Sequence, residues 1–219
     1  MTHVLRGVPV SRKKKKKAKV AKPKPSVILG SEATKPIEEV VFSFLDTETT
    51  GLSSSRGGRV CELAILQVRG GEIIKTYQEL INPQVPIESG AYGVHGISDS
   101  MVAGKRTFRE IASRVAEVLK GTVMVAHNAP FDESFMRAEF TRAGSAFPEI
   151  PILCTLKLAR RHFEFERNNL GTIAQALGVE TKGWHRAGAD VAILDKIFRY
   201  FLKEFSMRGT STLGELVDL

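Results

Sequence analysis

The period of the apolar residues along this chain changes several times, and each change marks a predicted element. "VVFSFLD" (40–46) opens on two β-branched valines and is apolar at five of its first six positions, the pattern of a buried strand. "RVCELAILQVRG" (59–70) and "GEIIKTYQELI" (71–81) continue as strands, and the Gly70–Gly71 junction predicts a hairpin turn. Three consecutive strands are therefore expected, at least two of them antiparallel. "NPQVPIESGAYGVHGISDSM" (82–101), rich in Gly and Pro, is expected to be a loop.

The helical period begins at "TFREIASRVAEVLKG" (107–121). Ile111, Val115, Val118 and Leu119 share a face, Thr107 and Glu110 have capping-box spacing, and Gly121 ends the run. "TVMVAH" (122–127) reads as a short buried strand, "FDESFMRAEFTRAG" (131–144) as a helix, "IPILCT" (150–155) as a strand and "LKLARRHF" (156–163) as a helix. "NNLGTIAQALGV" (168–179) predicts a helix with an Asn cap, and "GADVAILDKIFRYFLKEF" (188–205) the last long one. The order is β-β-β-α-β-α-β-α-α-α. A strand as apolar as "TVMVA" needs cover on each side, so the fold class is α/β, a mixed five-stranded sheet with helices on both faces. In such sheets, sites form beyond strand ends and at adjacent helix starts.

Composition adds little to that picture: the 219 residues are 42% hydrophobic and 26% charged, ordinary values for a globular domain. No apolar run approaches the roughly 18 residues of a membrane span, and no leader-like apolar segment follows the basic N-terminus. A cytoplasmic protein without a membrane partner is expected. Cys61 and Cys154 sit among apolar neighbours and are expected to be buried free thiols.

Charge changes the picture more. The net charge is +8, but residues 1–24 hold ten basic residues and no acid, leaving 22 basic against 24 acidic residues in the rest. Residues 1–37 are therefore expected to be a disordered basic arm and linker, residues 38–205 the folded domain, and 206–219 a short C-terminal tail. Such an arm suits sequence-independent contact with nucleic-acid phosphates, or serves as a solubilising tail.

The chemistry begins where the first strand ends. Asp46 and Glu48 are two apart, on one side of an extended chain, where like charges repel and resist desolvation. "AHNAPFD" places Asn128 and Asp132 at the start of a helix, and "WHRAGAD" places His185 just before, and Asp190 within, the start of another. Taken singly, Asn128 reads as a helix cap and the two Asp residues as charges opposing a helix dipole. Together, four carboxylates converging beyond the sheet need hard cations to neutralise them. Oxygen-only ligands favour Mg²⁺ or Mn²⁺, and two such ions suit in-line attack on a phosphodiester. His185 is the nearby side chain able to take a proton near neutral pH.

"FLDTETTGL", "AHNAPFD" and "HRAGAD" resemble the three motifs of the DnaQ-like (DEDD) 3′–5′ exonucleases, and "VHGIS" (94–98) and "CTLKLARR" (154–161) match supporting stretches. A His separated by four residues from the last-motif Asp, as His185 is from Asp190, marks the His type, similar to the epsilon proofreading subunit of bacterial DNA polymerase III. The resemblance implies a ribonuclease H-like fold and two divalent metal ions, Mg²⁺ or Mn²⁺. It implies Asp46, Glu48 and Asp190 as ligands of one ion, Asp46 shared with a second ion, Asp132 on that second ion through water, and His185 as general base. Thr47, Thr50, Gly51, Leu52, His95 and Asn128 are implied at the terminal nucleotide, Asn128 chiefly as a site organiser. Trp184 is expected to pack rather than stack on a base. The implied substrate is the 3′ end of single-stranded DNA, in proofreading or repair, with a DNA polymerase as a possible partner. RNA is the alternative substrate of the same family, and a non-catalytic nucleic-acid-binding or polymerase-binding module the remote one. The short tail permits a stand-alone enzyme as readily as a polymerase subunit.

Overall fold

The computed structural model describes residues 29–181 and 185–219; the basic arm and Trp184 lie outside the described residues. Strand β1 (Phe42–Thr49) pairs antiparallel with β2 (Val60–Arg69), which pairs antiparallel with β3 (Glu72–Leu80). Gly70 and Gly71, at φ 57° and 85°, make the tight turn between β2 and β3 that requires two left-handed residues.

The segment expected to be a loop contains two short helices, α1 (Ser89–His95) and α2 (Asp99–Val102). Neither has an apolar stripe long enough to show a helical period; burial of His95, Ile97 and Val102 beside Cys61 holds them in place. Helix α3 (Phe108–Leu119) starts as the sequence implies. The Glu110 carboxylate accepts hydrogen bonds from the Thr107 N–H and hydroxyl, both at 2.7 Å. Then come β4 (Val123–Ala126), α4 (Pro130–Ala143), β5 (Ile152–Cys154), α5 (Thr155–His162), α6 (Leu170–Ala176), α7 (Ala187–Ser206) and α8 (Leu213–Val217). The Asn169 side chain caps α6 through the Thr172 N–H, as expected.

The five strands lie in the order β3-β2-β1-β4-β5, with β4 parallel to both β1 and β5. One core lies between the sheet and α3–α4, around Leu45, Ile65, Phe108, Phe135 and Phe140. The other lies under α5–α8, around Phe42, Phe44, Ile173, Phe198 and Phe201. Both cysteines are buried and free. The C-terminal segment expected to be a tail is packed: Leu213 and Leu216 are buried against the second core. Its Thr212 forms an antiparallel bridge with Pro36, within the segment expected to be linker.

The pleat of β1 distributes chemistry between the two faces. Phe42 and Phe44 face α7, meeting the Phe198 ring edge-on at centroid distances of 5.1 and 5.5 Å, and Asp46 and Glu48 continue the same face. From Phe44 to Glu48 the strand rises about 13 Å, and from Phe198 back to Asp190 the helix rises about 12 Å. Helix and strand run antiparallel, so aromatic packing at one end sets the carboxylates in register at the other.

Candidate active site

One carboxylate oxygen from each of Asp46, Glu48 and Asp190 lies within 4.8 Å of the others. Burial, then the charges of Asp132, Glu48 and Asp190, push the Asp46 carboxyl well above its ordinary range. Burial, then Asp190 and Glu62, push Glu48 up to about 7. Asp190 is also pushed to about 7 by burial, although the His185 backbone donates a hydrogen bond to it. Asp132, on the other side of β1, reaches about 7 through burial, which outweighs the hydrogen bonds it accepts from Thr47. The structure thus brings together the four acids singled out in the sequence, three in direct proximity and Asp132 as the neighbouring charge with the largest effect on Asp46.

Each acid-bearing helix is entered through a non-glycine residue in the left-handed region, Asn128 at φ 65° before α4 and His185 at φ 65° before α7. Such backbone is sparsely populated and clusters at functional sites. Asn128 does not cap α4, whose N-cap is Ala129 without a side-chain bond; its side chain is exposed, and its carbonyl accepts from the Phe131 N–H at 2.9 Å. His185 is exposed at the mouth of the cluster, five residues before Asp190.

A cavity of about 380 Å³ adjoins Glu48, lined by Gly51, Leu52, Ala91, His95 and Phe131, with the Glu88 side chain at its wall. Leu52 is 89% exposed, an apolar surface at the rim of a concave site. Gly51 lies directly under the Glu88 carboxylate, where a Cβ would collide with it. His95 lines the cavity with both ring nitrogens occupied: Nδ1 accepts from the Ile97 N–H (3.0 Å), which leaves Nε2–H to donate to the Thr49 carbonyl (3.2 Å). Burial lowers its pKa, keeping it neutral. Thr47 lines the cavity too, but its hydroxyl donates to Asp132. Thr50 and Asn128 are not among the lining residues; the Thr50 hydroxyl accepts from the Arg59 N–H at 3.0 Å and closes the loop after β1.

Sequence reasoning missed a fifth carboxylate beside the cluster, the buried Glu62 on β2, directly opposite Glu48 in the strand register. Its two oxygens accept from Arg186 (Nη2 at 2.8 Å, Nε at 3.0 Å), from the Ala187 N–H (3.2 Å) and from Gln78 Nε2 (3.1 Å). Burial raises its pKa, but the bonds from Arg186 and Gln78 outweigh that and hold it below the ordinary range. The readable signal was an acid inside the apolar run "VCELAIL", the same kind of signal that drew attention to Asp46. His127 was also passed over: Nδ1 meets the Thr155 hydroxyl (3.0 Å) and Nε2 the Asn168 carbonyl (2.8 Å), joining β4 to α5 and the loop before α6.

The donor set fits divalent cations. It is all oxygen, burial and neighbouring carboxylates raise the pKa of all three acids, and the buried Asp190 Oδ1 has no hydrogen-bond partner.

Comparison with known proteins gives the family. The exonuclease model named for RNase T matches residues 43–198, most of the chain and every acid of the cluster. The chain belongs to the RNase T exonuclease family. Within the wider set of relatives it is 34% identical over 193 residues to the PolC-type DNA polymerase III of Caldanaerobacter subterraneus subsp. tengcongensis, covering 88% of this chain and 13% of that protein. It is 31% identical over 176 residues to the 3′-5′ exonuclease DinG of Bacillus subtilis (80% of this chain, 19% of that protein). It is 31% identical over 190 residues to a DNA polymerase III subunit epsilon-like protein of Rhodobacter capsulatus (84% and 27%). The chain therefore spans less than a third of the length of these relatives. Among solved structures, Exonuclease X in complex with 5′ overhanging duplex DNA superposes with TM-score 0.62 at 26% identity, covering 75% of this chain and 93% of that one. E. coli Exonuclease I in complex with a dT13 oligonucleotide shares the fold, with TM-score 0.67 at 19% identity over 76% of this chain and 41% of that one. The five-stranded mixed sheet is accordingly that of an exonuclease domain.

Proposed function

We propose that this chain is a divalent-metal-dependent 3′–5′ exonuclease that releases nucleoside 5′-monophosphates from single-stranded DNA ends, in proofreading or repair. The observation that carries this reading is the convergence of Asp46, Glu48 and Asp190 oxygens within 4.8 Å around a buried, unpartnered Asp190 oxygen. Asp46, Glu48 and Asp190 hold one ion and Asp132 assists a second, Mg²⁺ or Mn²⁺. Bound there, the ions would neutralise charge at the attacked phosphate and at the leaving 3′-oxygen. The chain's own groups do the rest. His185 takes the proton of the attacking water, its approach set by the left-handed backbone that also donates to Asp190. The 380 Å³ cavity receives the terminal nucleotide, with Leu52 and Phe131 against the base and sugar. Thr47 keeps Asp132 ionisable by hydrogen bonding. The names of the polymerase III relatives support a DNA substrate and a polymerase as partner, and that of DinG, a 3′-5′ exonuclease, supports the polarity.

The test is a time course on paired 5′-labelled single strands, one DNA and one RNA, with Mg²⁺, Mn²⁺ or EDTA. A DNA ladder shortening from the 3′ end and absent in EDTA is expected. Faster shortening of the RNA strand would move the enzyme to RNA processing. Release of the 5′ label as the first product, or two intact strands beside folded protein, would overturn the proposal.

A further inference from the structure

The first turn of α7 carries Asp190 yet has no cap of its own. Its N-cap residue is Arg186, whose side chain makes no capping bond, so the orphan N–H of Ala187 needs a partner from elsewhere. Glu62 supplies it from β2, and the same carboxylate takes a two-bonded fork from the Arg186 guanidinium. Glu62 is buried, while the Arg186 side chain that covers it stays partly exposed. A third element joins: Gln78 on β3 donates to Glu62 Oε1 (3.1 Å), and its amide fills the space over Gly188 that a Cβ would need. Three consecutive residues, Arg186, Ala187 and Gly188, are thereby fitted to two neighbouring strands. They are flanked by His185 and Asp190.

We infer that Glu62 and Arg186 are positioning residues that clamp the entrance of α7 to the sheet, setting His185 and Asp190 against Asp46 and Glu48. Neither residue need touch the substrate; the pair acts through the backbone of 185–190. Glu62 stands across from Glu48 in the β1–β2 register. The clamp thus refers one half of the site to the strand beside the other half. The packed Phe198 contacts about three turns along set the axis of α7, and the Glu62 contacts set where its first turn begins.

The catalytic part of this inference rests on the exonuclease reading, so the test includes measurements that do not. E62Q keeps the side-chain shape and removes the charge. R186K keeps the charge and loses the fork. G188A leaves both partners intact but displaces the Gln78 amide. Each variant is first checked by circular dichroism and compared at a temperature at which it is folded. Three readouts follow: kcat and KM on a 5′-labelled oligonucleotide, the Mn²⁺ isotherm by calorimetry, and hydrogen exchange of the 187–190 amides. For E62Q and R186K we expect kcat to fall on the order of 10- to 100-fold with KM nearly unchanged, and Mn²⁺ to bind more weakly. Exchange at 187–190 is expected to speed up in all three variants, while exchange in β1 and β4 stays unchanged. Wild-type kcat, Mn²⁺ affinity and exchange in folded E62Q and R186K would overturn the clamp. If the wild-type protein degrades no strand, the exonuclease reading fails by itself, and the Mn²⁺ isotherm and exchange pattern still decide the clamp.

Discussion

Thr47 gives both its donors to one oxygen of Asp132: the backbone N–H at 3.1 Å and the hydroxyl at 2.9 Å both reach Oδ1. The strand that carries Asp46 and Glu48 on one face thus holds the fourth acid on the other, across 85 residues of sequence. Thr47→Val removes the hydroxyl at nearly constant volume. The buried carboxylate then loses the Thr47 hydroxyl and keeps only the backbone bonds from Thr47 and Asp132, so its pKa rises from about 7. The expected outcome is an activity profile shifted to higher pH and a stability loss of about 1 kcal/mol at neutral pH. A pH–rate profile and urea denaturation check it, and an unshifted profile would refute the coupling.

The raised carboxylates also predict how the metal-free protein responds to pH. Glu48, Asp132 and Asp190 keep their protons to about pH 7 when folded, and release them near their ordinary 3.8–4.5 when unfolded. The folded state binds more protons between those limits, so the stability these groups contribute is complete below the unfolded values and lost as pH rises through about 7. In EDTA the melting temperature should fall as pH is raised from about 5 to about 8. Mn²⁺ should reverse the fall at the alkaline end, where its ligands are ionised. Asp190→Asn should flatten the EDTA curve.

Asp46→Ala removes the most crowded member of the cluster. Hydrolysis should be abolished, while the metal-free protein melts at the wild-type temperature or above, because a repelling buried acid has gone. Retained hydrolysis together with a lower melting temperature would assign Asp46 to structure instead of chemistry.

The ten basic residues of positions 1–24 predict a salt effect that the nearly neutral remainder does not. Deleting them should weaken nucleic-acid binding and reduce the slope of log affinity against log salt, since fewer counterions are released. Titrations of a labelled strand at several salt concentrations measure this. An equal slope before and after deletion would leave the arm a solubilising role.

Removing either member of the Arg59–Glu139 pair tests how the loop after β1 is held. Glu139 is buried, accepts Arg59 Nε at 2.7 Å and Nη2 at 3.0 Å, and also accepts the Val60 N–H at 3.2 Å. Glu139→Ala leaves donors unpaired inside the protein and should cost about 3 kcal/mol. The same change should raise KM more than it lowers kcat, because Leu52 and Gly51 belong to that loop and the metal-site acids do not.

The sequence by itself determined what local period and local chemistry can encode. The first strand, read at 40–46 and found at 42–49, the Thr107–Glu110 start of α3, the Asn169 cap and the Gly70–Gly71 turn all follow from residues within a few positions of one another. The acids were legible for a related reason: a charge at the end of an apolar run is costly enough to stand out. Only the tertiary structure decided which polar groups spend their bonds on one another. Thr47 turns to Asp132, His95 is saturated by Thr49 and Ile97, and Glu62 caps a helix 125 residues away. Helices α1, α2 and α8 belong to the same class, being too short to show a period and stabilised by what they pack against. A hydrogen bond between distant residues leaves no pattern along a single chain; it exists only once packing has brought its partners within 3 Å or so of each other.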